Sequence, residues 1–237
     1  MVLELLAYAV GVQTYLLLRR REPAGRMEAT MWIIVCCVFG ALLGSKILAW
    51  LELSPQELAS VTDWRMFLGG KTIVGGLIGG WMGVEVGKRI FGIHGRTGDA
   101  YVLPLVLGIA IGRVGCFLTG LPDHTYGIAT SLPWGVDFGD GISRHPTQLY
   151  EIVAAILIGL VVWIRSHRRH EQGDLFRLFM LGYFGFRILV EFIKPVYRPS
   201  GLSAIQWACL IAIGACIYGL LTHPQEIANR EVQRVIE

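Results

Sequence analysis

Long apolar stretches separated by short polar segments run the length of the chain. Seven of them, at roughly 2–18, 29–50, 73–91, 100–119, 147–164, 175–193 and 202–221, are long enough or nearly long enough to cross a bilayer as helices. The third is the weakest, being short and carrying Glu85, and the fifth is also short. The first lacks a basic leading segment and a small-residue cleavage site, so it reads as a retained span and not as a removed signal peptide. The pattern predicts an all-α integral membrane protein with seven transmembrane helices. They form one domain over 1–222, with a short cytoplasmic tail at 223–237. The longest non-apolar segment, 120–146, is rich in Gly, Pro and Asp and is punctuated by Tyr126, Trp134 and Phe138. A loop of that length is usually functional or disordered, and its aromatic residues favour the first.

The polar segments fall into two sets by charge. One holds Arg19, Arg20, Arg21, Arg26, Lys88, Arg89, Arg96, Arg165, Arg168, Arg169 and Arg177, and the tail adds Arg230 and Arg234. The other holds only Arg65, Lys71, Arg144, Lys194 and Arg198. Basic loops stay in the cytoplasm. The N-terminus is therefore expected outside, the C-terminus inside and 120–146 on the outer side.

Composition agrees with this picture. The chain has 237 residues, 54% of them hydrophobic and 16% charged, with a mean hydropathy of +0.54. A soluble domain carries about a quarter charged residues. Disorder and a small secreted disulfide scaffold are excluded, and a net charge of +3 is too small to suggest nucleic acid. Cys36, Cys37, Cys116, Cys209 and Cys216 lie in apolar runs without metal-ligand spacing, so they read as packing residues. No metal site or nucleotide fingerprint is visible, and no cofactor is expected.

Glycines form stripes at four-residue intervals: Gly40 and Gly44 in the second span, and Gly75, Gly79, Gly83 and Gly87 in the third. Gly108, Gly112, Gly115 and Thr119 give the fourth span a small-residue face. These stripes predict close helix contacts. Gly75 and Gly76, at the outer end of the third span, could also let a lipid headgroup approach bare backbone. Gly70-Lys71-Thr72 resembles the end of a phosphate loop, but the upstream glycine such a loop needs is Arg65.

Charges at membrane depth cost at least about 2.5 kcal/mol on insertion scales, so each calls for a partner or a function. Arg113 sits late in the fourth span. Tyr183, Arg187 and Glu191 share one face of the sixth at four-residue spacing, with Lys194 just beyond. Either an interhelical salt bridge holds the bundle, or two arginines against one carboxylate leave positive charge for a phosphate. Lys46 is also deep, and its direction lets it snorkel outward. Pro146 stands at the first position of the fifth helix, whose N–H groups then point outward beside Arg144 and His145. That arrangement fits an ordinary polar helix start or an anion site. Ser203 and Gln206 have capping-box spacing. Asp123 and His124 in the outer loop are a possible acid–base pair.

Together these segments resemble one family, the prolipoprotein diacylglyceryl transferases of bacterial lipoprotein maturation. The matching pieces, in order, are Gly69-Gly70 with Gly75-Gly76-Leu77-Ile78-Gly79; Gly112-Arg113-Val114-Gly115; Arg144-His145-Pro146-Thr147-Gln148-Leu149-Tyr150-Glu151; Leu181-Gly182-Tyr183 with Arg187 and Glu191; and Gly201-Leu202-Ser203 with Gln206. Asp99 also sits where that family has an acidic residue. The resemblance spans roughly 38–208. It implies transfer of a diacylglyceryl group from phosphatidylglycerol to a lipobox cysteine thiol of a preprolipoprotein, at the outer leaflet of the bacterial inner membrane. It also implies catalytic roles for Arg113, Arg187 and His145. Substrate contacts would come from Gly75, Gly76, Arg144, Gln148, Tyr183 and Glu191, with Arg144, His145 and Gln148 on the outer rim.

The chain departs from the family's pattern at several points. The family's His-Gly-Gly reads Val74-Gly75-Gly76. Its Gly-Asn-Phe-x-Asn-Gly-Glu reads Gly115-Cys116-Phe117-Leu118-Thr119-Gly120-Leu121. Pro122-Asp123-His124 is inserted before Tyr126-Gly127, where the family has Trp-Gly. Val74 cannot take a thiol proton, so His145 or His124 would do so, or the acceptor differs. The alternatives are a diverged paralogue serving another acceptor and a lipid-binding or transport protein without catalysis.

Overall fold

The computed structural model describes residues 9–14, 27–59, 69–93 and 98–236. Most of the first expected span lies outside the described residues, but 9–14 is helical. The later expectations each meet a helix: α1 (Met27–Leu51), α2 (Ile73–Ile90), α3 (Val102–Thr119), α4 (Thr147–Ser166), α5 (Asp174–Glu191) and α6 (Ala204–Ile236). A short helix, Pro55–Ala59, follows α1. A hairpin of β1 (Val136–Asp137) and β2 (Ser143–Arg144) lies in the 120–146 segment, with Val136 opposite Arg144.

Among the described residues, four helical segments are long and apolar enough to cross a membrane: Met31–Leu51, Gly98–Thr119, Thr147–Ser166 and Ala204–Leu221. Charged residues set the other two apart. α2 carries Glu85, Lys88 and Arg89, and α5 carries Asp174, Arg177, Arg187 and Glu191. The expected tail does not begin at a helix end, because α6 continues without a break to Ile236.

The glycine stripes of α1 and α2 face each other. A Cβ placed at Gly40, Gly44, Gly75, Gly79 or Gly83 would fall inside the carbonyl oxygen of the opposite helix. The two backbones therefore touch along the seam. On the small-residue face expected on α3, a Cβ placed at Gly112 would have nothing within 4 Å among the described residues. Next, α3, α4, α5 and α6 pack as sequential neighbours, and the α1–α2 pair joins them through α6.

Remote side chains fix several helix starts. Asp99, ahead of α3, accepts hydrogen bonds from the N–H groups of Gly173 (2.7 Å) and Phe176 (2.9 Å) at the start of α5. Glu52, just past α1, accepts from Ile205 N–H at 2.7 Å at the start of α6. The capping box forms there as its spacing predicts. Ser203 N–H donates to Gln206 Oε1 at 2.9 Å, and Gln206 N–H donates to Ser203 Oγ at 3.2 Å. Gln206 Nε2 reaches Ile188 O on α5 at 3.0 Å.

The core gathers Val74, Val106, Phe179, Met180, Phe184, Cys209 and Cys216. All five cysteines are free, and Cys209 and Cys216 are buried in the core. Phe39, Leu118, Leu189 and Ile211 stand outward, about 70% exposed. An apolar exterior of this extent suits lipid.

Candidate active site

Three helices converge at the end of the bundle where 120–146 folds. Late α3 brings Arg113, the start of α4 brings Glu151, and late α5 brings Tyr183, Arg187 and Glu191. All five are buried, none more than 6% exposed. Glu151 is the hub. Its Oε2 lies 2.9 Å from Arg113 Nε and 3.3 Å from Arg187 Nη1, and its Oε1 accepts from the Tyr183 hydroxyl at 2.5 Å. Arg187 Nη2 donates to Glu191 Oε2 at 2.6 Å. The Arg113 contact is an ion pair outside hydrogen-bond alignment, and Arg187 Nε has no acceptor. Arg113 Nη1 also points at Cys116 Sγ, 3.7 Å away.

The charge balance differs from the sequence expectation. Two arginines meet two carboxylates, not one. Glu151 stands in the motif that includes Gln148 and Tyr150, yet sequence reasoning passed it over as part of a helix start. One signal could have found it. An unpaired buried charge is expensive enough that the second arginine required another carboxylate.

The net positive charge comes from Lys194. It is 7% exposed and lies one residue past the sixth expected span, within electrostatic range of all four charged groups. Burial, followed by the Arg187 charge, pushes its ammonium down to about 7. The cluster's extra positive charge therefore declines as pH rises through neutrality.

The 120–146 segment folds over this cluster through backbone bonds. Gly127 N–H donates to His145 O at 2.9 Å, His145 N–H donates to Ile128 O at 3.1 Å, and Ile128 N–H donates to Ile193 O at 2.8 Å. A Cβ at Gly127 would strike His145 and the Ile193 carbonyl. Asp137 Oδ1 accepts from three successive backbone N–H groups, those of Gly139, Asp140 and Gly141.

The expected rim residues diverge. Arg144 grips Asp140 with two bonds, 2.6 and 2.7 Å, and lies 5.0 Å above the Tyr126 ring. Its charge is answered within the loop, where its hydrogen bonds hold the Asp140 carboxyl below the usual range. His145 Nδ1 lies 3.2 Å from the Tyr150 hydroxyl, which accepts from Trp134 Nε1 at 2.8 Å. An indole can only donate. The phenol's own hydrogen is then free for His145 Nδ1 in the tautomer that carries the ring proton on Nε2.

Gln148 was expected on the rim but is buried at 1% exposure. Gly75 is closed against Gly44 of α1, whereas Gly76 has only ordinary contacts, at 3.8 Å or more. Asp123 pairs with the Thr125 hydroxyl at 2.5 Å, and no hydrogen bond joins it to His124 among the described residues. The His124 ring stands 6.4 Å from that of Tyr126. Val74 is 1% exposed in the core. Among the described residues no group of three His, Cys, Asp or Glu side chains could hold a metal.

Comparison with known proteins identifies the family. The phosphatidylglycerol–prolipoprotein diacylglyceryl transferase of Bordetella bronchiseptica is 32% identical over 243 residues, covering 92% of this chain and 90% of that protein. The enzyme of the same name from Cupriavidus metallidurans is 30% identical over 84% of this chain and 79% of its own length. That of Nitratidesulfovibrio vulgaris is 32% identical over 80% and 74%. The family model described as prolipoprotein diacylglyceryl transferase matches residues 2–222. The chain is a membrane transferase that belongs to the prolipoprotein diacylglyceryl transferase family.

Proposed function

We propose that this protein moves a diacylglyceryl group from phosphatidylglycerol to the cysteine thiol of a prolipoprotein lipobox. The observation that carries the reading is the buried Arg113–Glu151–Arg187 cluster, set where three helices meet beneath the 120–146 loop. Its arginines keep donors in reserve, and planar guanidinium groups suit phosphate oxygens. The thiol sulfur attacks the glycerol carbon that bears the phosphate ester. A sulfur–carbon bond forms, the carbon–oxygen bond breaks, and glycerol phosphate leaves with the electron pair. Arg113 and Arg187 stabilise the charge that grows on that group, with Glu151 and Glu191 holding them in place.

Val74 takes the position of the family's histidine, so the thiol's proton needs another route. The leaving phosphate monoester has a second pKa of about 6 and can carry the thiol's proton away itself. His145, in the tautomer with its proton on Nε2, serves as a donor to that phosphate. The seven-span arrangement, N-terminus outside and C-terminus in the cytoplasm of a bacterial inner membrane, is part of the same proposal. The basic residues at the opposite end of the bundle support it.

Purified protein, phosphatidylglycerol vesicles and a lipobox peptide are combined and the peptide is weighed by mass spectrometry. A diacylglyceryl thioether on the cysteine is the expected product. Arg113→Lys keeps a charge opposite Glu151, and so preserves the fold, but should lose turnover at least about 100-fold as the fork of donors is lost. Full activity in Arg113→Lys and in Arg187→Lys would refute the mechanism. The second reading, a different acceptor, is favoured by Val74 and Cys116 standing where the family has polar groups. Lipid consumed without a peptide adduct is its signature.

A further inference from the structure

On the first two turns of α4, each polar side chain except one has a protein partner. Thr147 Oγ1 donates to Thr125 O at 2.5 Å. Tyr150 meets Trp134 and His145, and Glu151 holds Tyr183 and the two arginines. Gln148 is the exception. Its side chain is 1% exposed, yet both Nε2 and Oε1 lack a hydrogen-bond partner. Buried polar groups in folded proteins are almost always paired, so this amide calls for an explanation.

Gln148 lies three residues before Glu151. Side chains at that spacing share a helix face, about 5–6 Å apart at Cβ. The amide is thus about one helical turn from Glu151, the carboxylate that holds the guanidiniums proposed to grip phosphate. A ligand that suits it must offer both a donor and an acceptor, because the amide offers both. The hydroxyls of a glycerol headgroup do so, and they sit only a few bonds from the phosphorus.

We infer that Gln148 reads the hydroxyls of the glycerol headgroup and so selects phosphatidylglycerol among anionic phospholipids. The inference rests on the transferase reading for the place of the phosphate. A lipid whose headgroup lacks hydroxyls would leave the amide buried and unpaired, which penalises it. The peptide substrate's backbone offers a similar donor–acceptor pair. The lipid is favoured by the nearness of Glu151 and its arginines.

The test measures lipid binding to the full-length protein in detergent by native mass spectrometry, with no peptide present. The probes are phosphatidylglycerol and phosphatidylpropanol, which differ only in the headgroup hydroxyls. The wild type should bind phosphatidylglycerol about tenfold more tightly. Gln148→Met, close in shape, should erase that preference, and retained binding of phosphatidylpropanol shows that the variant is folded. Equal binding of both lipids by the wild type overturns the inference, and that comparison stands whether or not the variant folds. Equal weakening of both lipids in the variant overturns it too. Peptide transfer by the wild type is scored separately. A lipid preference without transfer sinks the transferase reading alone, and transfer without a preference sinks the role of Gln148 alone.

Discussion

Glu151 shows why single residues at this site are best weighed as charges in a closed account. One carboxylate answers two guanidiniums and a phenol, and each of them is out of water. Removing one member of a buried ion pair leaves a charge without compensation, at roughly 3–5 kcal/mol. Glu151→Gln should therefore lower stability by roughly 3–5 kcal/mol, read by thermal unfolding in detergent. Adding Arg113→Gln should recover part of the loss, because one stranded cation is then gone. Simple addition of the two losses would show that the pair is not coupled. The sequence made Arg113, Tyr183, Arg187 and Glu191 legible, since each stands out in an apolar run or repeats on one face. Glu151 was hidden because its partners lie 32–38 positions away on other helices and a carboxylate near a helix start looks like an ordinary cap. Gln148 was hidden for the same reason, since depth in the bundle leaves no local trace.

Among the elements, the α1–α2 pair has the least freedom. Opposed glycines let carbonyl oxygens sit where side chains would stand, and the backbones touch along the seam. Gly79→Leu should force the two helices apart and reduce the yield of folded, monodisperse protein severalfold. Gly112→Leu, in open space on α3, should leave it unchanged by size-exclusion chromatography. Equal damage from both would mean that helix propensity, not the seam, decides. The four-residue interval alone identified this contact in the sequence, whereas on α3 a Cβ at Gly112 meets no neighbour among the described residues. A small residue permits a close approach, but only a neighbour makes one. The helix caps divide in the same way. Ser203 and Gln206 are three apart and legible. Asp99 and Glu52 cap helices 74 and 153 residues away, a pairing that only the fold brings about.

At the scale of the molecule, the site and most of the basic loops occupy opposite ends of the bundle. Arg113, the 120–146 segment, Glu191 and the start of α6 lie at one end. Lys88, Arg89, Arg165, Arg168 and Arg169 lie at the other. Basic segments resist translocation, so the basic end is expected in the cytoplasm and the Glu151 cluster in the outer half of the membrane. That placement matters chemically, because an exported peptide can present its cysteine only on the outer side. It can be checked by single cysteines in a background where Cys36, Cys37, Cys116, Cys209 and Cys216 are alanine. Ser131 and His170 are both exposed, one at each end. A membrane-impermeant maleimide applied to intact spheroplasts should label Ser131→Cys at once and His170→Cys only after lysis. The reverse pattern would put the cluster at the inner leaflet, beyond reach of an exported thiol. It would leave the arginines with a lipid phosphate but no lipobox cysteine to receive the glyceryl carbon.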